Sequence, residues 1–356
     1  MRSYKFAVLL ALLCSTVAPQ AQSPSDLAWT FALSGDSRNC GDVVMPAIAA
    51  AVRRDQAAFY WHLGDFRAIY DFDQDIQKRP GSRPLTISEY ERVAWQDFID
   101  TQVDSFAPTP VFLGIGNHET IPPKSKAEAL IQFSDWIDTP EIKAQRLKDN
   151  PHDHRVKAYY HWTRTGVDFV NLDNSSSDQF DDEQVKWLQS VLDRDSQDAA
   201  IHTVVLGMHS ALPDSLASDH SMSDIPQSRE SGHNVYKLLL QFRNVSKKPV
   251  YVFASHSHFY MSGIFDSEYW RAHGGVLPGW IVGTAGAYRY ALPLSASKAS
   301  EALTNVYGYL LGKVKPDSSI SFEFRRIRET DVPTETVQKF GATLVHECFD
   351  KNKAED

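Results

Sequence analysis

The chain has little cysteine, no excess of basic residues and few long apolar runs. Its 356 residues contain three cysteines, and its 36 Lys and Arg are outnumbered by 45 Asp and Glu, which gives a formal net charge of −9. Proteins that bind DNA or RNA along a surface usually carry a basic face, so a nucleic-acid partner is not expected. An acidic chain can still bind an anionic substrate where metal ions reverse the local charge.

The N-terminal residues have the pattern of a secretory signal peptide. Arg2 and Lys5 precede the apolar stretch FAVLLALLC, and small residues follow it in STVAPQAQ. This stretch is too short for a permanent transmembrane helix, and no other run approaches about 18 apolar residues. We therefore predict a signal peptide over residues 1–21, cleaved near Ala21, and a periplasmic or secreted protein without a permanent membrane anchor.

Removal of the signal peptide would leave two cysteines, Cys40 and Cys348. In an oxidising compartment an even number of cysteines suggests a disulfide, and two cysteines allow only one pairing. The alternative is two buried free thiols. A disulfide would tie the C-terminal segment to the loop that contains Cys40.

Short apolar runs that alternate with helical patterns predict an α/β architecture. Two stretches, YYHWTRTGVDFVNLD at 159–173 and GYLLGKVKPDSSISFEFRRI at 308–327, have turn residues between strand patterns, so mixed sheets are expected. Residues 66–108 and 120–158 lack a strand signal, and either shape substrate access or form surface helices without a role. The predicted strands are WTFALSG, AFYWHLG, VFLGIG, TVVLGM and VYVFAS, and the predicted helices cover 43–55, 88–100 and 181–195.

Each of the five predicted strands ends near a side chain that can bind a metal ion. The carboxyl ends of neighbouring strands meet in one crevice of an α/β sheet, so these side chains are expected to converge. A single Asp or His at such a place is usually a cap or a core residue. A potential metal ligand after each of five strands, however, favours a shared site. The residues are Asp36, Asp65, Asn117, His209, His256 and His258.

The sequences around these residues resemble the calcineurin-like metallophosphoesterase superfamily, which includes the purple acid phosphatases. The resemblance extends from about residue 29 to 328. It implies a sandwich of two mixed β-sheets flanked by helices, in a domain over 22–328 that is followed by a C-terminal tail over 329–356. The family pattern is D-x-H, GD, GNH followed by D or E, a lone His and G-H-x-H, and the matching segments are Gly64-Asp65, Gly116-Asn117-His118-Glu119, Met208-His209 and Ser255-His256-Ser257-His258.

The resemblance also implies two divalent or trivalent metal ions. Oxygen and imidazole ligands together suit Mn, Fe or Zn. Two such ions can generate a hydroxide for in-line attack and hold both the attacking and leaving oxygens of a phosphoryl group. In this assignment Asp65 bridges the ions, Asp36 and His258 bind the first, and Asn117, His209 and His256 bind the second.

His118 is not a metal ligand in the assignment that the resemblance implies. It faces the leaving-group oxygen and supplies a proton as general acid, with a nearby carboxylate orienting its ring. Glu119 either supports the ligands or caps the next segment. Among the other histidines, His62 is expected in the core. His152, His154, His220 and His233 could each line a pocket, but exposed surface positions are favoured.

Arg38 stands where the first motif of the family has a metal-binding histidine. A guanidinium has no lone pair and stays charged, so the first metal site is expected to be weak or empty, or to use fewer protein ligands. The tyrosine found three residues after the bridging aspartate in purple acid phosphatases is absent too, because that position is Ala68 and Tyr70 has the wrong spacing. Asn39 could lend a carbonyl oxygen instead.

Three interpretations of Arg38 follow from its chemistry. It contacts the substrate phosphate and stabilises the transition state, which is the role that we favour. Alternatively, it pairs with Asp36 or another carboxylate and holds the loop. In the third interpretation it displaces the first metal ion.

The sequence as a whole predicts an exported metal-dependent phosphoesterase that acts on a small phosphorylated substrate, either a phosphomonoester or a phosphodiester. The alternative is a non-catalytic periplasmic binding or scaffold protein that keeps the fold with a depleted metal site. The presence of His118 favours the enzyme, because a scaffold does not need a general acid.

Overall fold

Two mixed β-sheets form the centre of the protein. The computed structural model describes residues 28–217 and 220–354, so the predicted signal peptide lies outside the described residues. The strands are β1 (Trp29–Ser34), β2 (Tyr60–Leu63), β3 (Val111–Gly114), β4 (Tyr160–Arg164), β5 (Val167–Asn171), β6 (Thr203–Gly207), β7 (Val250–Ala254), β8 (Tyr260–Ser262), β9 (Gly279–Val282), β10 (Glu301–Leu303), β11 (Tyr307–Val314) and β12 (Ile320–Ile327).

One sheet has the strand order β12-β11-β1-β2-β3, and the other has the order β10-β8-β9-β7-β6-β5-β4. Strands β1, β2 and β3 are parallel, whereas β11 and β12 are antiparallel to their neighbours. In the second sheet β5, β6, β7 and β9 are parallel, β4 and β8 run against them, and the edge strand β10 is antiparallel to β8. Both sheets are therefore mixed, which confirms the predicted α/β sandwich.

Helices connect the parallel strands and also form the two segments that lack strands. The helix α1 covers the predicted segment 43–55 except for its last residue, and the predicted helix at 88–100 continues beyond α3 as a π-helical turn, Phe98–Val103. The helices are α1 (Gly41–Arg54), α2 (Gln74–Gln77), α3 (Ile87–Asp97), α4 (Lys126–Gln132), α5 (Ser134–Ile137), α6 (Pro140–Asp149), α7 (Asp182–Gln197), α8 (Pro226–Ser246), α9 (Glu268–Ala272), α10 (Thr334–Phe340) and α11 (Ala342–Asp350). None of the helices in the described ranges has the length and apolar character to cross a membrane.

The two predicted hairpins are present, and turn residues explain the first of them. Strands β4 and β5 are joined through Thr165 and Gly166, which have φ of 42° and 79°. Two successive residues with positive φ fit the twist of a tight hairpin, and glycine adopts this conformation without steric cost. The second hairpin pairs β11 with β12 along their whole length.

Aromatic side chains fill the space between the sheets. Phe59 lies 5.1 Å from Phe169 in an edge-to-face arrangement, and Phe112 stacks on Trp162 at 4.2 Å, measured between ring centroids. Such pairs add directional contacts to the burial of apolar area. All four side chains are buried, so the strands whose ends carry the site are held by a well-packed core.

The disulfide between Cys40 and Cys348 is present, with the two Cα atoms 5.8 Å apart. Both cysteines are fully buried. The bond joins the residue before α1 to α11, and the predicted C-terminal tail therefore includes two helices that are tied to the loop of Asp36 and Arg38.

Replacement of both cysteines by serine is expected to lower the free energy of unfolding by about 2–5 kcal/mol, because the bond closes a very long loop and restricts the unfolded chain. Urea unfolding of the parent and the double variant measures this difference. Addition of a reductant during unfolding should weaken the parent and leave the variant unchanged. Equal unfolding midpoints for the parent and the variant would contradict the expectation.

Candidate metal centre

Side chains that follow five strands of the two sheets converge at one place. His209 Nε2 lies 3.0 Å from Asn117 Oδ1, 3.0 Å from His256 Nδ1 and 3.3 Å from Asp65 Oδ1. Beside this group, His258 Nε2 lies 3.4 Å from Asp36 Oδ1. The structure thus brings together all six side chains that the sequence indicated as metal ligands.

The backbone at three of these residues has an unusual conformation. Asp36, Asp65 and His256 have φ of 61°, 61° and 65°. Positive φ is uncommon outside glycine, and such conformations occur most often where a binding site requires them. In each case the conformation turns the chain directly after a strand, which aims the side chain at the common centre.

Asp65, His209 and His256 each place one ligand atom within 4.8 Å of the others. His209 Nδ1 lies 3.0 Å from the carbonyl oxygen of Leu63, and donation to this oxygen leaves Nε2 free to bind an ion. Asp65 Oδ2 is buried without a hydrogen-bond partner. Together with the nearby amide oxygen of Asn117, these residues fit the second metal ion, and their donor set suits Mn, Fe or Zn.

Neighbouring charges keep the carboxylate of Asp65 ionised. Burial by itself would raise the pKa of Asp65, but His118, His209 and Arg38 outweigh it and hold that pKa well below its usual value. Burial also lowers the pKa of His256 to about 3, so its imidazole is neutral at physiological pH. For His209, Asp65 and Asp36 outweigh burial and raise the pKa to about 9, so a metal ion has to displace a proton from that imidazole. An ionised carboxylate and a neutral imidazole are the forms that bind metal ions.

Arg38 occupies the other half of the centre. Its Nη1 donates to His118 Nε2 at 2.5 Å and to the Tyr70 hydroxyl at 3.4 Å. Its Nη2 donates to His258 Nε2 at 3.2 Å and to the Tyr290 hydroxyl at 3.4 Å. The acceptors are therefore imidazole nitrogens and phenol oxygens rather than the carboxylate pairing considered from the sequence.

A backbone carbonyl, and not the predicted carboxylate, orients the ring of His118. The imidazole Nδ1 lies 2.6 Å from the oxygen of Ala68 and donates to it. Nε2 is then the nitrogen that accepts from Arg38, since a guanidinium only donates. Asp65 is farther away, with its Oδ2 3.6 Å from Nε2.

Comparison with known proteins reveals a relationship at the level of the fold. No protein-family model matches the chain, and no curated protein matches its sequence. A purple acid phosphatase from yellow lupin (Lupinus luteus) seeds superposes with a TM-score of 0.55 at 15% identity, over 85% of this chain and 52% of the lupin chain. PhoD superposes with a TM-score of 0.54 at 15% identity, over 93% of this chain and 78% of the PhoD chain.

The chain has the calcineurin-like metallophosphoesterase fold. It spans about half the length of the lupin phosphatase. The two halves of the centre differ in this protein, because the ligand atoms of the second half face one another, whereas the first half contains Arg38.

The first metal position does not fit an ion as its residues are arranged in this protein. The ligands predicted for it are Asp36, Asp65 and His258, but His258 Nε2 accepts a hydrogen bond from Arg38. The other ring nitrogen of His258 lies 2.6 Å from the carbonyl oxygen of Tyr288 and donates to it. Asn39 does not substitute either, because its side-chain oxygen accepts from the Tyr288 amide at 3.0 Å.

Glu119 supports the loop that carries Asp65. Its carboxylate accepts from the amides of Asp65 at 2.9 Å, Phe66 at 2.8 Å and Gly116 at 2.7 Å. The side chain is fully buried. Of the two roles considered for Glu119, the contacts favour support of the ligands, because they join the loops after β2 and β3.

Behind the centre lies a buried ionic cluster, which we define as Arg67, Arg79, Asp42, Asp73, Asp75 and Asp97. Arg67 Nη2 lies 2.5 Å from Asp42 Oδ1 and 2.5 Å from Asp97 Oδ2, and Nη1 lies 3.2 Å from Asp75 Oδ1. Asp73 accepts from the amides of Asn39 and Ala68. The cluster therefore connects the Arg38 loop with the loop that follows Asp65.

Two residues at the centre, Tyr290 and His220, were not among the predicted site residues. The ring of Tyr290 stacks on His258 with centroids 4.0 Å apart, and the ring of His220 stacks on Tyr290 at 5.1 Å. His220 was predicted as a surface residue, and it is exposed but lies at the site. Neither residue belongs to a ligand motif, so only the three-dimensional arrangement reveals them.

The remaining histidines lie where the sequence suggested, with one refinement. His62 is fully buried in β2, whereas His152 and His154 are exposed. His233 is half-buried, and its Nε2 lies 2.6 Å from Asp214 Oδ2.

Proposed function

We propose that the protein is an exported, metal-dependent phosphoesterase that hydrolyses a small phosphomonoester or phosphodiester. The observation that carries the proposal is the group formed by Asp65, Asn117, His209 and His256, whose ligand atoms converge at strand ends around a buried carboxylate oxygen without a partner. The fold shared with a purple acid phosphatase supports the same reaction class. Export rests on the N-terminal pattern, and the buried disulfide supports it.

The residues of this group would hold a Mn, Fe or Zn ion. A bound ion of this kind polarises a phosphoryl oxygen and lowers the pKa of water, which is the chemistry that phosphoester hydrolysis requires. The protein side chains have separate tasks. They position the phosphate, exclude bulk water and supply a proton to the leaving group.

Arg38 is proposed to contact the substrate phosphate. Its two hydrogen bonds to Tyr70 and Tyr290 are long, at 3.4 Å each, so phosphate oxygens can replace the hydroxyls. The planar guanidinium then presents two parallel donors, a geometry that suits phosphate. Charge-assisted hydrogen bonds of this kind are also stronger than those to neutral phenols.

His118 is proposed to protonate the leaving group at Nε2. The Ala68 carbonyl fixes Nδ1 as a donor, so Nε2 is the nitrogen that faces the centre. In the present arrangement Nε2 accepts from Arg38, and a leaving-group oxygen has to take the place of that contact. The movement of Arg38 toward the phosphate would release Nε2 for this purpose.

The contacts of Arg38 also support a second candidate function. A guanidinium bonded to both His118 and His258 occupies atoms that a two-metal phosphoesterase uses. The protein could therefore be a non-catalytic periplasmic binding or scaffold protein that takes up a phosphorylated compound without turnover.

A direct assay distinguishes the two candidates. The protein is stripped with a chelator, supplied with Mn, Fe or Zn, and tested with nitrophenyl phosphate and bis(nitrophenyl) phosphate. We expect hydrolysis that depends on the added metal and that falls to background in Asp65→Asn and His209→Ala. His233→Ala, which removes a histidine from an ion pair outside the centre, serves as the matched control and should retain activity. Absence of turnover with every metal would eliminate the enzyme and leave the binding protein.

A further inference from the structure

We infer, on the basis of the proposed function, that Arg38 takes the place of the first metal ion. The protein would then bind a single ion, at Asp65, Asn117, His209 and His256, and would provide the second positive charge from its own guanidinium.

The position of the guanidinium is the first argument for this replacement. In a two-metal centre of this fold, His258 and Asp36 would share an ion. Here His258 Nε2 lies 3.4 Å from Asp36 Oδ1 and accepts from Arg38 Nη2 at 3.2 Å. Because His258 Nδ1 donates to the Tyr288 carbonyl at 2.6 Å, the imidazole has no nitrogen left for an ion.

The acceptors around Arg38 form a second argument. Each of its two terminal nitrogens has two hydrogens, and four acceptors face them: two imidazole nitrogens and two phenol oxygens. The ring of Tyr290 stacks on His258 at 4.0 Å, and the ring of Tyr70 lies 4.9 Å from His118. These contacts enclose the guanidinium on several sides, so its place in the centre is built by the surrounding side chains.

The charges of the centre point to the same arrangement. Asp36 and Asp65 are fully buried, and one oxygen of each has no hydrogen-bond partner. Buried carboxylates require compensating positive charge. The guanidinium supplies one unit permanently, since arginine does not lose its proton in proteins, and one metal ion supplies the remainder.

Contacts of the next two residues anchor the loop that carries Arg38. The neighbouring residue Asn39 accepts at its carbonyl oxygen from the Asp75 amide at 3.0 Å, and its side chain accepts from the Tyr288 amide at 3.0 Å. Cys40 is fixed by the disulfide to Cys348. Because the loop is anchored directly after Arg38, an ion cannot simply displace the whole segment to gain access to the first position.

Metal content tests the inference without reference to activity. The protein is loaded with Mn²⁺ or Zn²⁺ and freed of excess metal. The ions per chain are then counted by mass spectrometry, and electron paramagnetic resonance of the Mn²⁺ form separates single ions from coupled pairs. We expect one ion per chain and the spectrum of an isolated Mn²⁺ ion. Two ions per chain with a coupled spectrum would overturn the inference.

Two variants sharpen the measurement. Arg38→His restores the imidazole of the family motif and should bind a second ion, doubling the metal content and producing a coupled spectrum. Arg38→Lys keeps the positive charge and should remain at one ion. Thermal unfolding confirms that both variants are folded. A wild-type content of one ion that does not rise in Arg38→His would also count against the inference.

The outcomes separate this inference from the proposed function. Two ions together with hydrolysis would overturn only the replacement of a metal by Arg38. One ion without hydrolysis of any aryl phosphate would overturn only the phosphoesterase. A wild-type protein that binds neither Mn²⁺ nor Zn²⁺ would overturn both.

Discussion

Replacing His118 with alanine is expected to slow the hydrolysis of an alkyl phosphate by about 10²–10⁴-fold, the range that general acid catalysis contributes. The loss with nitrophenyl phosphate should be much smaller. An alkoxide is a poor leaving group that needs a proton as the bond to phosphorus breaks. Nitrophenolate is a stable anion and leaves without one.

The geometry around His118 explains why this residue is singled out. Its side chain is almost fully buried, and the Ala68 carbonyl fixes its tautomer. Nε2 faces Arg38, the residue proposed to bind the phosphate. A leaving-group oxygen on that phosphate would therefore lie beside Nε2. His118 Nε2 lies nearest to Oδ2 of Asp65, whereas His209 of the ligand group lies beside Oδ1.

The ratio of the two rates is the informative quantity. We propose to measure kcat/KM for an alkyl and an aryl phosphate in the parent and in His118→Ala, each at the same metal content. His233→Ala, in which the lost histidine contacts Asp214 instead of a ligand candidate, should leave the ratio unchanged. Equal losses on both substrates would show that His118 has a positioning role and does not protonate the leaving group.

The predictable part of the fold consists of elements with strong local patterns. The strands β1, β2, β3, β6 and β7 are buried apolar runs, and α7 is capped by Asp181, whose side chain accepts from the Gln184 amide at 2.8 Å. In contrast, β9 was not predicted, and it lies between β7 and β8 through long-range pairing. Its position depends on contacts that no local pattern records.

The long helix α8 was not predicted for a related reason. Its sequence contains Gly232 in the interior, and glycine is unfavourable there by about 1 kcal/mol relative to alanine. A side chain at this position would approach Pro213 Cδ to 2.4 Å, so tertiary packing requires the glycine. Packing of this kind overrides helix propensity, and the sequence gives no sign of it.

The candidate site was predictable where its residues follow strands in recognisable motifs. The six ligand candidates and His118 come together as expected, and the disulfide partner of Cys40 was identified by elimination. The contacts of Arg38 were not predictable, since they combine side chains such as Tyr70 and Tyr290 that are far apart in sequence. The positive φ angles of Asp36 and Asp65 were equally hidden, because only the folded chain imposes them.

Substitution of Arg67 by alanine is expected to lower the free energy of unfolding by about 3–5 kcal/mol at neutral pH, the cost of leaving buried charge without its partner. Arg67 is fully buried, and so are Asp42, Asp73 and Asp75, while Asp97 is 16% exposed. Without the guanidinium these carboxylates would repel one another in a poorly solvated space. Urea unfolding of the parent and the variant measures the difference.

The pH dependence of this loss has a definite sign. Burial raises the pKa of Asp42 to about 6 although Arg67 opposes the rise. The unfolded chain has an ordinary pKa near 3.8, so the ionised form weakens folding above about pH 6 and the penalty disappears as the pH falls below 4. Removal of Arg67 raises that pKa further. The difference in stability between the parent and Arg67→Ala should therefore be larger at pH 8 than at pH 5.

Arg79 provides a matched control, because it contacts two of the four carboxylates that surround Arg67. Its Nη2 lies 2.9 Å from Asp42 and 2.8 Å from Asp97, but its side chain is 25% exposed, so water can replace it. Arg79→Ala should cost less than Arg67→Ala and depend less on pH. Arg67→Lys keeps the charge and loses the planar fork, so its stability should lie between those of the parent and Arg67→Ala. Equal losses for Arg67→Ala and Arg79→Ala would show that burial of Arg67 adds nothing to its role.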